Sequence, residues 1–409
     1  MRQHRILFFS ALCVLSMFGS SCFFFGSKHD AQVDDVFRQG RIDPNLVPTT
    51  VGYVPVLPFF NSYTHPVDVY VGFDNMLYVC DDQGVHISDV SGRELRVLPI
   101  PGATKVVQDR RLITYVIGRV QVTRSGQTYN LPAVYKIMNA ATSGGYSITD
   151  ILIHPDCDAT RTSFKGKEDE LASFTGIGTT SDNQLYVARS SPNPDNPSAF
   201  YAPFNTVLVF DPMGNNIGYT KELNPYNSSL KSCLGISGLA TFCAPPQRQF
   251  GMNTSKDFLL LQGDATQPVE FRVLWIKQTV DAGTGEIVYG QNDNLILTDT
   301  SKASRFLYQS NRFKHPADVC ISPDRNGYIF VADDVLDSVF IFTQAGYEGV
   351  NAPATAPSKK QIIASFGGDG VDQFHFKKCS GVAYFDRILY VADKDNNRIC
   401  RYKLSTDIE

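Results

Sequence analysis

The chain reads as an all-β protein, a six-bladed β-propeller of four-stranded antiparallel blades. Three observations predict this. One phrase recurs, an apolar run ending in an acid: "NMLYVCDD" (75–82), "GYIFVADD" (327–334) and "RILYVADK" (387–394). Apolar and polar residues alternate within the runs at the strand period, and no long segment carries apolar residues at helical spacing. Turns rich in Gly, Asn and Asp, such as "DKDNN" and "SPDRNG", separate the runs. A four-stranded unit cannot bury both faces alone. Stacking such units around an axis buries the faces and leaves only short, protected edges.

The elements follow in order. Arg2 and Arg5 lead an apolar segment, Ile6 to Phe18. It is shorter than the roughly 20 residues that a membrane-spanning helix needs. Gly19, Ser20 and Ser21 then precede Cys22. Residues 1–21 therefore read as a secretory signal. The small residues before Cys22 resemble the lipobox of bacterial lipoproteins. That resemblance implies lipid on Cys22 and an outer-membrane location in a Gram-negative bacterium, with the membrane face left open. Residues 22–50 are polar and charged and read as a flexible tether. The propeller is expected over 51–404, with 405–409 as a tail. "GYVPVLPFF" (52–60) is the only strand-like run before the first blade. It is expected to close the ring by pairing with the last blade.

Copies of the unit begin near residues 65, 102, 174, 236, 315 and 379. Alignment on the second strand brings Asp81, Gly118, Arg189, Gln262, Asp333 and Asp393 to one register. Recurrence at one register argues that the aspartates are structural, capping backbone N–H groups after the strand. His65 and His315 each open a blade in an "HP" pair, and their equivalence also argues for a structural role.

The last unit, "SFGGDGVDQFHFKKCSGVAYFDRILYVADKDNNRICRYKL" (365–404), resembles an NHL repeat. The features that match are Gly367, Gly368, Phe374, Val391, Asp393, Asn396, Asn397 and Arg398. The unit from His315 to Thr343 resembles the repeat but lacks the Asn-Asn-Arg, and the middle units are degenerate. The resemblance implies an NHL-type propeller with six blades.

Chemistry is sparse. The net charge is −4 with no basic stripe, so nucleic acid is excluded as a partner. The nine cysteines form no CxxC pair. Cys80, Cys320 and Cys400 sit in expected strands as small apolar residues, and Cys233 and Cys243 lie close enough in sequence to pair. There is no HxH, HExxH or GxSxG spacing. No catalytic, cofactor-binding or metal residue is assigned, no cofactor is expected, and the chain leans away from an enzyme. Insertions are more informative. Ser190–Thr206 replaces a tight turn, with four prolines and the aromatics Phe200, Tyr201 and Phe204. These three are the candidate partner-binding residues. Tyr347–Lys360 is a second, more linker-like insertion. The expected function is a lipid-anchored envelope scaffold or accessory subunit of an outer-membrane complex. It would bind other envelope proteins and reach the membrane through its lipid. Two alternatives remain: a metal-dependent propeller lyase or lactone hydrolase, and a glycan-binding surface lipoprotein of a nutrient-uptake system.

Overall fold

The computed structural model describes residues 40–48, 50–161, 163–193, 196–200, 204–245, 254–263, 269–296, 298–354 and 356–408. The signal segment, Cys22 and Tyr201 lie outside them. Blade 1 consists of β2 (Asp68–Val71), β3 (Leu77–Asp81), β4 (Gly84–Ser88) and β5 (Glu94–Leu98). Blade 2 consists of β6 (Lys105–Gln108), β7 (Thr114–Arg124), β8 (Gln127–Met138) and β9 (Ser147–Ile153). Blade 3 consists of β10 (Ser173–Thr179), β11 (Leu185–Ser190), β14 (Thr206–Phe210) and β15 (Asn216–Tyr219). Between its middle strands a two-stranded ribbon forms from β12 (Pro192–Asn193) and β13 (Asn196–Phe200). Blade 4 consists of β16 (Ile236–Thr241), β17 (Phe258–Gln262), β18 (Val273–Val280) and β19 (Ile287–Gln291). Blade 5 consists of β20 (Pro316–Ile321), β21 (Ile329–Asp333), β22 (Ser338–Phe342) and the two-residue β23 (Phe366–Gly367). Blade 6 consists of β24 (Cys379–Phe385), β25 (Ile388–Asp393), β26 (Arg398–Leu404) and, from the other end of the propeller, β1 (Tyr53–Pro55).

All pairings within the six sheets are antiparallel, and the inner strands β2, β6, β10, β16, β20 and β24 contact one another in cyclic order. The ring is therefore closed. The closing strand is the one expected from the sequence. Tyr53 pairs with Leu404 and Pro55 with Tyr402, and the ladder resumes at Phe60 opposite Ile399. Arg401, only 1% exposed, fastens it further: Nη2 donates to Pro58 O at 2.8 Å, and the guanidinium lies 4.3 Å from the Phe60 ring centroid.

Six apolar clusters fill the six gaps between adjacent blades. Each contains one residue from the same row of the inner strands: Val69, Val106, Ile177, Leu239, Val319 and Val382. Burial of a Val or Leu side chain stabilises by about 1.5–3 kcal/mol. Neighbouring blades cover both faces of the middle strands, so "LYVCD", "TVLVF", "FLLLQ" and "IFVAD" are buried at every position. This explains why these strands read as unbroken apolar runs.

The sequence register is the structural one. Asp81, Gly118, Arg189, Gln262, Asp333 and Asp393 occupy equivalent places on the second strands, as the pairings to the inner strands show. The aspartates act as caps. Asp333 accepts from Lys314 N and His315 N through Oδ2, and from Val335 N and Leu336 N through Oδ1. Asp81 and Asp393 bind the equivalent entering loops through Thr64 N and Lys377 N. Gln262 does the same work with an amide, accepting from Leu234 N at 2.9 Å.

Two further segments are defined by the structure. The β7–β8 hairpin stays paired out to Arg124 and Gln127 and turns through Ser125 (φ 51°) and Gly126 (φ 79°). Two consecutive positive φ values match the strand twist of a two-residue hairpin loop. Tyr347–Lys360 is not a loose linker. Glu348 is fully buried and accepts from Arg312 Nε at 2.9 Å and Nη2 at 2.6 Å. The seven cysteines from Cys80 to Cys400 are free thiols, so Cys233 and Cys243 are not bonded. No helix among the described residues is long and apolar enough to cross a membrane.

Candidate functional site

Each inner strand starts at one face of the ring and runs down the central channel. The first row at that face is Val67, Thr104, Thr175, Ser237, Ala317 and Ser380, set by its place one residue before the paired register. Four of these six carry hydroxyls. The second row is Asp68, Lys105, Gly176, Gly238, Asp318 and Gly381. Here the strands crowd each other. A Cβ on Gly176 would lie 2.5 Å from Leu239 N, and one on Gly381 would lie 2.9 Å from Asp68 Cα.

The three charged residues of the second row close the channel. Lys105 Nζ lies 3.0 Å from Asp68 Oδ1 on the adjacent blade and 2.5 Å from Asp318 Oδ1 on the opposite blade. Asp68 Oδ2 accepts from Val106 N at 2.9 Å, and Asp318 Oδ2 accepts from Val382 N at 2.7 Å. Burial pushes the Asp68 carboxyl up to about 7, and the Asp318 charge pushes the same way. One ammonium shared between two acids does not offset both effects. Burial opposes the Lys105 charge, but the two carboxylates outweigh it and hold the amine protonated. Lys105 is therefore an ion-pair partner and not a nucleophile.

Above this floor lies a cavity of about 340 Å³ at the channel mouth, lined by first-row residues with Arg119, His315, Asp334 and Lys394. Arg119 is committed to the backbone, donating to Ala172 O, Asn130 O and Glu170 O. The His315–Asp334 pair, at 2.5 Å, repeats in blade 1 as His65–Asp82 at 2.7 Å. The repeat explains the pair as part of the blade entry. One buried cavity group, Thr175 Oγ1, has no partner among the described residues, and Lys394 lines the same cavity. Below the floor a second cavity of about 100 Å³ is lined by Tyr70, Thr179, Thr241, Cys243 and Tyr384. Asp68 and Asp318 line this lower cavity, and Lys105 lines both.

One side of the mouth is walled. The β7–β8 hairpin is braced by the crossover that follows β9. Arg124 pairs with Asp156 and lies 4.5 Å from the Phe164 ring centroid, while Asn130 N donates to Glu170 Oε1 at 2.8 Å. The crossover carries the one α-helix among the described residues, α1 (Lys167–Leu171). Its Asp169 is buried and accepts from His154 Nε2 at 3.0 Å, Arg161 Nη2 at 2.7 Å and Lys165 N at 2.5 Å. Burial alone would raise the Asp169 carboxyl, but these donors hold it below the usual range. Burial also holds His154 below its ordinary value, hence neutral.

The aromatics that the sequence singles out fare unevenly against this geometry. Phe204 is 3% exposed and is not a surface anchor. Its ring is stacked by Arg161 at 4.4 Å and Arg189 at 5.4 Å, with His154 edge-on at 5.7 Å. It belongs to the wall's own packing, because a large ring beside two guanidiniums is better buried than wet. The side chain of Phe200, like all of Tyr201, lies outside the described residues. The channel triplet escapes a reading of the sequence, because its members are far apart along the chain. The signal that could have found it is the row position itself, since "HPVDV" and "HPADV" place Asp68 and Asp318 alike.

Among the described residues no group of three or more His, Cys, Asp or Glu is placed to hold a metal ion. No protein-family model matches the chain, and no curated protein matches it. Several solved structures are similar. An auxiliary nutrient binding protein from Bacteroides ovatus is 12% identical with a TM-score of 0.48, covering 89% of this chain and 75% of that one. A PQQ-bound aldose sugar dehydrogenase from Streptomyces coelicolor is 12% identical with a TM-score of 0.44, covering 87% and 99%. A gluconolactonase from Xanthomonas campestris is 11% identical with a TM-score of 0.43, covering 89% and 94%. The propeller assignment rests on the strand pairing and the closed ring described above.

Proposed function

We propose that the protein binds a small polyhydroxylated ligand, of the carbohydrate class, in the mouth of its channel. One observation carries this reading: the cup at the channel mouth holds a buried hydroxyl, Thr175 Oγ1, that the described residues leave without a partner, and the ammonium-bearing Lys394 lines the same cavity. A buried polar group without a partner costs about 1–3 kcal/mol, and a ligand hydroxyl or carboxylate that satisfies it recovers that cost on binding. Hydroxyls suit hydroxyls, since each both donates and accepts. The scaffold reading loses Phe204, its one described anchor. The hydrolase reading needs a set of metal ligands that the described mouth residues do not form. Lipid on Cys22 would hold this binding protein at the envelope, as the N-terminal sequence suggests.

Calorimetric titration of the mature chain with a panel of monosaccharides and short oligosaccharides tests the reading. Thr175→Val and Lys394→Met are each expected to weaken binding about tenfold with unchanged melting. Absence of sugar binding, or binding unaffected by both substitutions, refutes it. Cys22→Ala is expected to abolish lipid labelling and release the protein from the membrane pellet. Retention of an unlipidated variant in the pellet removes the anchor.

A further inference from the structure

Two carboxylates share one cation just beneath the cup, which only Lys105 of the three reaches. Lys105 Nζ contacts Asp68 Oδ1 at 3.0 Å and Asp318 Oδ1 at 2.5 Å, and Asp68 and Asp318 are 4% and 6% exposed. The other inner strands, β10, β16 and β24, bring only Gly176, Gly238 and Gly381 to this level. Lys394 lines the cup above, and no charged or titratable neighbour at the triplet's own level balances the count. Cys80 lies behind Asp68, and burial keeps its thiol protonated. Cys320 and Tyr70 border the lower cavity and are kept neutral in the same way. Above, Arg119 is taken by backbone carbonyls and His315 is tied to Asp334. With both acids ionised, the floor holds one uncompensated negative charge in a nearly closed site. Such a site relieves the charge by binding a proton.

Resting on the reading of the cup as a carbohydrate site, we infer that its ligand is a sugar acid, bound together with one proton taken up by the Asp68–Lys105–Asp318 floor. Lys394 supplies the cation for the ligand carboxylate at the rim, and the proton removes the like charge beneath it. A neutral sugar meets no such repulsion and binds without proton uptake. The sign is fixed by linkage. An anion above the floor favours its protonated form, so affinity for the acid falls as pH rises while affinity for a neutral sugar stays flat.

The test is calorimetric titration of the mature chain with D-glucuronate and D-glucose at pH 5.5, 7 and 8.5, in buffers of different ionisation enthalpy. We expect net uptake of a proton with glucuronate near neutral pH and a fall in its affinity of about tenfold across the range. Asp68→Asn, which fixes the floor in its neutral state, is expected to raise glucuronate affinity at pH 8.5 to the pH 5.5 level. A pH-independent glucuronate affinity, no proton uptake, or a persisting slope in Asp68→Asn overturns the inference. Binding of glucose alone overturns it while leaving the cup reading intact. A carboxyl-carbon NMR titration of the ligand-free protein tests the proton store separately. One floor carboxyl titrating near neutrality supports it, and both titrating in the ordinary carboxylate range overturn it whatever sugar binds.

Discussion

Replacing Lys105 with methionine keeps most of the side-chain volume and removes the ammonium between Asp68 and Asp318. The side chains of these acids are 5% and 8% exposed. Removing one partner of a buried ion pair typically costs about 3–5 kcal/mol, because the other charge is left uncompensated. The cost depends on pH, and its sign follows from Asp68. That carboxyl is already raised to about 7 in the folded protein by burial and by Asp318. An unfolded aspartate titrates near 4. The folded state therefore holds more protons than the unfolded state between these values, and stability declines as pH rises through that window. Removing Lys105 takes away the positive charge that most favours the ionised carboxyl, so the decline steepens and extends upward. Urea unfolding of Lys105→Met should show a loss of about 3–5 kcal/mol at pH 8 and about 1–2 kcal/mol at pH 5, where Asp68 carries a proton. Adding Asp68→Asn to Lys105→Met should restore most of the loss at pH 8. Equal losses at both pH values, or no rescue by Asp68→Asn, would refute the account of the floor as a charge-imbalanced triplet.

Three further outcomes are expected. Asp393→Ala removes the acceptor for Lys377 N at 2.7 Å and the partner of Arg398 Nε at 2.7 Å. It should lower unfolding stability by about 2–3 kcal/mol without changing ligand affinity. Arg401 Nη2 donates to Pro58 O at 2.8 Å, so Arg401→Met should cost about 1–2 kcal/mol by leaving that carbonyl without its donor, whereas Arg401→Ala should lose more, read as Tm, by also opening a cavity under the closing strand. A Gly/Ser turn in place of residues 192–203 should leave Tm almost unchanged, whereas Phe204→Ala should cost about 3–4 kcal/mol, both read by thermal melting. If the two variants melt alike, Phe204 is not the pin of the wall.

The blade register was legible because one phrase recurs with its acid at the strand end, and the acid does the same job in each copy. The closing strand was legible for a similar reason: "GYVPVLPFF" has no other partner before the first blade. The length of the β7–β8 hairpin was less so. Its alternation continues through "RVQVTRSGQTYNLPA", and Ser125-Gly126 is the turn. A reader expecting short blades stops at the register of Gly118. Phe204 misled because proline, serine and aromatics together resemble an exposed loop. What buries the ring is Arg161 from one crossover and Arg189 from another strand, and tertiary contacts of that kind leave no periodic trace.

The channel floor also bears on why the charges are there. The six inner strands offer six equivalent positions at each level, so the backbone imposes no preference for charge in any row. One residue deeper than the triplet, the protein fills the same six positions with Val69, Val106, Ile177, Leu239, Val319 and Val382, all between 2% and 5% exposed. That aliphatic row buries without a counter-charge and adds apolar area to every gap between blades. A buried ion triplet is at best a break-even replacement for such packing, and an unbalanced one is worse. Three glycines share the triplet's level, so the row also gives up side-chain contacts in blades 3, 4 and 6. A floor needed only to stop the channel could have been a second aliphatic row. The charged row lies instead at the boundary between the cup and the core, where Lys105 faces both cavities. Departure from the locally most stable choice, at the level where the channel closes beneath the cup, is what a site under functional constraint shows.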